Sequence, residues 1–174
     1  MRKEMSAAST LFAFVLFAHA DTPSPPPPGA TPACAAPKYR AFDFWVGDWN
    51  VTQNGKLAGT NRIERILGGC ALLENWQGVG GSEGNSLSYY DATHRVWHQT
   101  WVDNQGTPLE LEGDYQGGRM VMAGNTLDPA SGKTAINRLT WTPRADGRVR
   151  QHWEVSTDDG KTWSTAFDGM YEKK

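Results

Sequence analysis

The chain has 174 residues and a formal net charge of −2 at neutral pH. That length suffices for one domain with a sizeable buried core. No stripe of basic residues appears, so the composition argues against a nucleic acid partner.

The first twenty residues have the pattern of an export signal. Arg2 and Lys3 give a positive start, residues 11–18 form a short apolar run, and residues 18–20 (Ala-His-Ala) supply the small-x-small pattern that a signal peptidase reads. A buried helix or a membrane anchor is the alternative, but a membrane span needs about 20 apolar residues. We therefore expect cleavage after Ala20, no membrane span, and a periplasmic or secreted protein.

Residues 21–38 are rich in proline, and their composition predicts an extended tether that precedes a domain over 39–174. The two cysteines are Cys34, within this tether, and Cys70. In an oxidising compartment two thiols are more often paired than free. We therefore expect a disulfide that holds the tether to the domain; two unpaired small apolar side chains are the alternative.

Beyond the tether, short stretches of alternating apolar and polar residues are separated by turn sequences at intervals of about 10–15 residues. No stretch sustains a helical period over three turns. The pattern predicts an all-β fold, an antiparallel up-and-down barrel of about nine or ten strands, with one short helix near residues 39–44. The turn sequences are Asn54-Gly55, Gly68-Gly69, Gly80-Gly81, Asn104-Gln105-Gly106, Gly117-Gly118, 128–132, Asp146-Gly147 and Asp159-Gly160.

Several predicted strands place large aromatic and polar side chains on the same face. Within residues 95–103, for example, Trp97, Gln99 and Trp101 alternate along one face. A solid core would favour Leu, Ile and Val, whereas a mixed face suits a lined cavity. Alternation alone leaves open which face points inward.

Parity along the strands makes Glu74 and Glu112 candidates for carboxylates inside the barrel. A buried carboxyl group without a partner has a raised pKa. We expect instead an internal ion pair with Arg62 or Arg138. Such a pair is either purely structural or an anchor for the polar end of a ligand.

The leading hypothesis is a protein that binds a small, partly apolar molecule inside the barrel. The alternatives are an enzyme of isomerase or hydrolase type, using an inward carboxylate with an Arg or His partner, and a non-catalytic envelope interaction module. The candidate cavity-lining residues are Arg62, Glu74, Trp76, Trp97, Gln99, Trp101, Arg138, Trp141, Gln151 and Trp153.

The sequence predicts no catalytic residue, metal ligand or cofactor. Residues 80–84 (Gly-Gly-Ser-Glu-Gly) match the Gly-x-Ser-x-Gly pattern, but they lie at one of the predicted hairpin turns and not at the strand-to-helix turn of a nucleophile elbow. His94 and His98 are four residues apart, and on one strand they would be separated by about 13 Å, too far to share an ion.

Residues 42–51, Phe-Asp-Phe-Trp-Val-Gly-Asp-Trp-Asn-Val, resemble the opening of a lipocalin-like family of unknown function found in exported bacterial proteins. Further matches continue as far as Tyr171. The resemblance implies a calycin-type barrel and export, and it carries over no catalytic residues. The Gly47-Asp48-Trp49 step also resembles the first-strand signature of lipocalins at large, which implies that Trp49 lies at the barrel floor beneath a basic side chain from a late strand, through a cation–π contact. The candidates for that cover are Arg138, Arg148 and Arg150.

Residues 156–163 match the Ser-x-Asp-x-Gly-x-Thr-Trp box of sialidase-type propellers. In those proteins the box is a hairpin turn repeated in several blades, whereas here it occurs once. We interpret it as a turn in which Asp158 accepts hydrogen bonds from backbone N–H groups. It gives no support for glycosidase activity.

Overall fold

The computed structural model describes residues 33–127 and 132–174, and the strands of these ranges form one sheet. The predicted signal segment, most of the tether and part of the turn predicted at 128–132 lie outside the described residues. None of the helices within the described ranges is long and apolar enough to cross a bilayer. The elements are α1 (Pro37–Arg40), 3-10 helices at Asp43–Trp45 and Leu67–Gly69, and strands β1 (Gly47–Gln53), β2 (Lys56–Ile66), β3 (Ala71–Gly78), β4 (Glu83–Asp91), β5 (Val96–Asp103), β6 (Pro108–Gln116), β7 (Arg119–Leu127), β8 (Thr134–Pro143), β9 (Val149–Ser156) and β10 (Ser164–Lys173).

The ten strands form a closed barrel in which every strand runs antiparallel to its neighbours in the chain. The barrel closes where β1 pairs with β10, from Trp49 opposite Lys173 to Gln53 opposite Gly169. Closure leaves no unpaired edge strand within the sheet. The predicted up-and-down barrel with one short helix is confirmed.

The hairpin turns follow from residues that tolerate positive φ. Between β1 and β2, Asn54 has φ of 51° and Gly55 has φ of 72°, the combination that a two-residue type I′ turn requires. The twist of this turn matches the right-handed twist of the strands on either side. Such local turns make consecutive strands pair, and this produces the up-and-down order.

Aromatic side chains close one end of the barrel, which we call the closed end. Phe42 and Trp45, from the segment between α1 and β1, are fully buried there. The Phe42 ring stacks on Trp45 at 4.9 Å and meets Trp97 and Trp141 edge-on at 5.8 and 5.2 Å between ring centroids. Aromatic pairs at these distances add to the stability gained by burial.

A disulfide joins Cys34 to Cys70, as the sequence predicted. It holds the residues before α1 to the connection between β2 and β3. The Arg40 guanidinium, in α1, also donates a hydrogen bond to the carbonyl oxygen of Gly69 in that connection. The N-terminal segment of the domain is therefore fixed at two points on the closed end.

Candidate functional site

The other end of the barrel opens into a cavity of about 560 Å³. Its mouth lies among hairpin residues such as Leu57, Val79 and Ala166, and Tyr171 lies deeper inside. The remaining lining residues are Gln53, Ala58, Glu74, Trp76, Ser82, Gln99, Trp101, Leu109, Leu139, Gln151, Trp153 and Phe167.

Glycines in the sheet allow two of the aromatic rings to lie flat against the wall. A Cβ atom at Gly59 would lie only 2.8 Å from the ring of Trp76. A Cβ atom at Gly84 would lie 2.3 Å from the ring of Trp101. Because both glycines lack a side chain, the indoles cover the backbone and the space at the centre of the barrel stays open.

The carboxyl group of Glu74 lies inside the cavity, and the residue is only 6% exposed. Asn61 Nδ2 donates a hydrogen bond to Oε1 over 2.6 Å, and Ser86 Oγ donates one to Oε2 over 2.5 Å. The two partners come from β2 and β4, the strands on either side of β3. The carboxyl group is therefore held in one orientation from both neighbouring strands.

Tyr171 extends this network across the barrel. Its hydroxyl accepts a hydrogen bond from Asn61 Nδ2 over 3.2 Å and donates one to Gln151 Oε1. A further internal hydrogen bond runs from Gln99 Nε2 to Ser88 Oγ over 3.0 Å. Hydrogen bonds within the wall thus position Glu74, Gln99, Gln151 and Tyr171.

Burial changes the acidity of both ionisable groups in the network. Loss of hydration raises the pKa of Glu74 to about 7, although the hydrogen bonds from Ser86 and Asn61 act in the opposite direction. Burial raises the pKa of Tyr171 well above its ordinary value, and the nearby charge of Glu74 adds to this. Tyr171 therefore keeps its proton at neutral pH, while Glu74 exchanges its proton in the physiological range.

Of the ten residues that the sequence proposed for the lining, six do line the cavity. Two others, Trp97 and Trp141, are buried among the aromatic rings of the closed end. They point inward but form the floor under the cavity. The six that reach the cavity are Glu74, Trp76, Gln99, Trp101, Gln151 and Trp153.

The two proposed arginines lie on the outer surface, so their expected placement inside the barrel is wrong. Arg62 is 2.9 Å from Glu64 and 3.8 Å from Asp48, and Arg138 is 3.1 Å from Glu154. Neither pairs with Glu74. On β2 the inward residues have odd numbers, so Arg62 points to solvent, where a guanidinium keeps its hydration.

Glu112 is also wrongly predicted to be inward. Its side chain is 67% exposed and lies 3.4 Å from the His98 imidazole on the outside of the barrel. On β6 the buried residues are Leu109 and Leu111, so the next even position faces solvent.

The basic cover over Trp49 comes from the last strand, but it is not one of the three proposed arginines. Lys173 Nζ lies 5.3 Å from the Trp49 ring centroid. Arg138 instead stacks over Trp163, at 4.0 Å from its ring, on the outer surface. Ion pairs on the outer surface hold Arg148 with Asp146 and Glu172, and Arg150 with Asp168.

The histidine pair is closer together than the sequence suggested. His94 lies in the turn before β5, so the spacing of a regular strand does not apply to it. His94 Nδ1 and His98 Nε2 lie 2.6 and 3.9 Å from the same oxygen, Oδ2 of Asp91. In the described ranges, no group of three or more His, Cys, Asp or Glu side chains is arranged to hold a metal ion.

The Ser-x-Asp-x-Gly-x-Thr-Trp box forms the hairpin turn between β9 and β10. Asp158 accepts hydrogen bonds from the backbone N–H and the hydroxyl of Thr162, over 2.9 and 2.7 Å. Ser156 Oγ donates a further one to Asp158 over 2.8 Å. These bonds lower the pKa of Asp158 to about 2. The interpretation as a turn is confirmed.

Sequence reasoning missed Asn61, Ser86 and Tyr171. Asn61 lies two residues from buried Ile63 on β2, so the alternation of inward and outward positions along that strand could have predicted that Asn61 points inward. The β9–β10 register shifts between Thr165 and Phe167, and this irregularity obscures parity along the last strand. The contact of Asn61 with Tyr171 depends on closure of the barrel through pairing of β1 with β10, which no local pattern encodes.

Comparison of the sequence with models of known protein families gives no match, and comparison with curated protein sequences gives no significant match. The resemblance of residues 42–51 to a lipocalin-like family therefore stays a prediction.

Proposed function

We propose that this chain is an exported small-molecule binding protein, whose cavity holds a partly apolar ligand with its polar end directed at Glu74. The observation that carries the proposal is the combination, in one cavity of about 560 Å³, of aromatic walls and a buried carboxyl group, that of Glu74, held by hydrogen bonds. Ligand pockets typically have volumes of about 300–1,000 Å³ and combine apolar walls with a few placed polar groups.

The packing around the cavity supports binding over a purely structural barrel. Protein interiors are normally close-packed, and unfilled space removes favourable contacts. Here Gly59 and Gly84 keep the rings of Trp76 and Trp101 against the wall. A side chain at Gly84 would push the Trp101 ring toward the centre of the barrel, so the glycine helps to keep that space open.

Export is supported by the disulfide between Cys34 and Cys70. Disulfides persist in oxidising compartments and are rare in the cytosol. The signal-like pattern of the first twenty residues and the resemblance to exported proteins agree with this.

Intrinsic tryptophan fluorescence tests the binding proposal, because Trp76, Trp101 and Trp153 line the cavity. The protein should be titrated with lipids, haem, aromatic compounds and sugars. We expect a saturable change in emission with at least one class. Leu139→Trp, which fills the cavity, should abolish it, whereas Thr140→Trp on the same strand, facing outward, should not.

The proposal would be contradicted if no class of compound changed the tryptophan emission. It would also be contradicted if the Leu139→Trp variant bound a compound as tightly as the unaltered protein, because the ligand would then lie outside the barrel. Far-UV circular dichroism of both variants establishes that they retain the barrel.

A second candidate function is acid–base catalysis at Glu74. Its carboxyl faces the cavity and its pKa of about 7 suits a group that both takes up and releases protons near neutral pH. However, the described lining contains no Arg or His to act with it, so binding is favoured. Screening the protein against isomerase and hydrolase substrates, with Glu74→Gln as control, tests this; turnover unchanged by the substitution would exclude Glu74.

A further inference from the structure

The charge of the cavity restricts the ligands that it accepts. Among the described residues that line it, Glu74 is the only Asp, Glu, Lys, Arg or His. A carboxylate or phosphate ligand would therefore meet a like charge with no cation to offset it, in a site of low dielectric. An anionic ligand is disfavoured on this ground.

The direction of the hydrogen bonds around Glu74 also disfavours an anionic ligand. Asn61 and Ser86 both donate to Glu74, over 2.6 and 2.5 Å. The donors of Gln99 and Tyr171 are directed at Ser88 and Gln151. Because the donors of Asn61 and Ser86 are already engaged with Glu74, the group that best complements its carboxylate is one that donates. An ammonium group carries three donors and no acceptor.

The aromatic walls also favour a cation. Trp76, Trp101, Trp153 and Phe167 all border the same cavity as Glu74. The negative faces of indole and phenyl rings attract cations, most strongly where water is excluded. Trp153 is held in place by a hydrogen bond from its Nε1 to Asn137 Oδ1 over 2.9 Å.

We propose that the cavity takes an organic amine, whose ammonium group binds at Glu74 and whose apolar body lies between the aromatic walls. This inference rests on the proposed binding function and specifies its ligand class. The Glu74 carboxylate is held by Asn61 and Ser86 in advance, so little reorganisation accompanies binding.

The affinity for an amine should depend on pH. Facing Glu74 are Asn61 from β2, Ser86 from β4 and Tyr171 from β10, and of these only Tyr171 titrates, far above neutral pH. Binding of an ammonium therefore displaces a proton from Glu74 when that group is protonated. Affinity should fall about tenfold for each pH unit below 7 and level off above it.

Isothermal titration with matched ligands tests the inference. One series is 2-phenylethylamine, 2-phenylethanol and 3-phenylpropanoate; a larger series is tryptamine, tryptophol and indole-3-propanoate. We expect each amine to bind at least about tenfold more tightly than its alcohol, because charge-assisted hydrogen bonds are roughly twice as strong as neutral ones, and the carboxylates to bind most weakly. This comparison uses the unaltered protein and does not depend on a variant that folds.

Glu74→Gln should remove the preference for the amine, since Gln retains the shape and the acceptor for Asn61 without the charge. Glu112→Gln, which makes the same change on the outer surface, should preserve it. An alcohol or carboxylate that binds as tightly as its amine would overturn the inference, as would an amine preference that survives Glu74→Gln.

The two proposals fail in different ways. If none of the six compounds binds but another class changes the tryptophan emission, the amine inference is wrong and the binding function stands. If no compound of either panel binds, both are wrong.

Discussion

Glu74 is the residue on which the chemistry of the cavity depends. A buried carboxyl group is stable in its charged form only with a cation or several hydrogen bonds. Glu74 has two donors, Asn61 and Ser86, and the described lining provides no cation. The Glu74 carboxyl group therefore carries its proton up to near neutral pH. A ligand that supplies a positive charge would stabilise the carboxylate and release that proton.

The raised pKa of Glu74 makes the stability of the unliganded protein dependent on pH. The ordinary pKa of 4.5 applies to the unfolded chain, and the folded value is about 7. The folded state holds the Glu74 proton more tightly than the unfolded chain does. Proton binding therefore stabilises the fold fully below pH 4.5, and this stabilisation is lost as pH rises through 7. The difference between the two pKa values corresponds to about 3 kcal/mol of unfolding free energy.

We expect Glu74→Gln to be more stable than the unaltered protein at pH 8, by up to about 3 kcal/mol, and similar to it at pH 4.5. Denaturant unfolding at several pH values, with Glu112→Gln as the control, measures this. A Glu74→Gln variant whose stability follows the same pH profile as the unaltered protein would show that Glu74 titrates normally.

At the scale of elements, the pairing of glycines with indoles shapes the cavity. In Gly84→Ala the added Cβ atom would lie 2.3 Å from the Trp101 ring, so the ring must move toward the cavity. We expect a loss of about 1–3 kcal/mol in unfolding free energy, and weaker ligand binding.

A double-mutant cycle with Trp101→Ala separates the clash from other effects of Gly84→Ala. If the clash is the cause, Gly84→Ala should cost much less stability in the Trp101→Ala background. Equal costs in both backgrounds would mean that Gly84 acts through its backbone rather than through the indole.

The strands were predictable because their signals are local. Turn residues such as Asn54-Gly55 marked the hairpins, and alternation correctly grouped Trp97 with Gln99. Alternation groups residues by face but does not say which face points inward. For this reason Arg62 was wrongly predicted to lie in the cavity. Lys173 was missed because its contact with Trp49 depends on pairing between the first and last strands.

At the scale of the whole molecule, stability and binding are located at opposite ends of the barrel. The aromatic floor and the Cys34–Cys70 disulfide hold the closed end, and the cavity opens at the other. The bridge closes a loop with a sequence separation of 36 residues. In the chain-entropy account, such a loop contributes about 3–4 kcal/mol of stability.

We therefore expect the double variant Cys34→Ser/Cys70→Ser to lose about 3–4 kcal/mol of unfolding free energy and to keep its ligand affinity. Chemical denaturation and titration of the same sample measure both quantities. A stable variant that no longer binds would show that the two ends of the barrel are coupled.

The indole N–H resonances of the tryptophans report whether a ligand occupies the barrel cavity. In a ¹⁵N-labelled sample titrated with a binding compound, we expect shifts at Trp76, Trp101 and Trp153, which line the cavity. The resonance of Trp163, on the outer surface, should stay unchanged. Shifts confined to Trp163, or none at any cavity tryptophan while the compound binds, would show that the ligand binds outside the cavity.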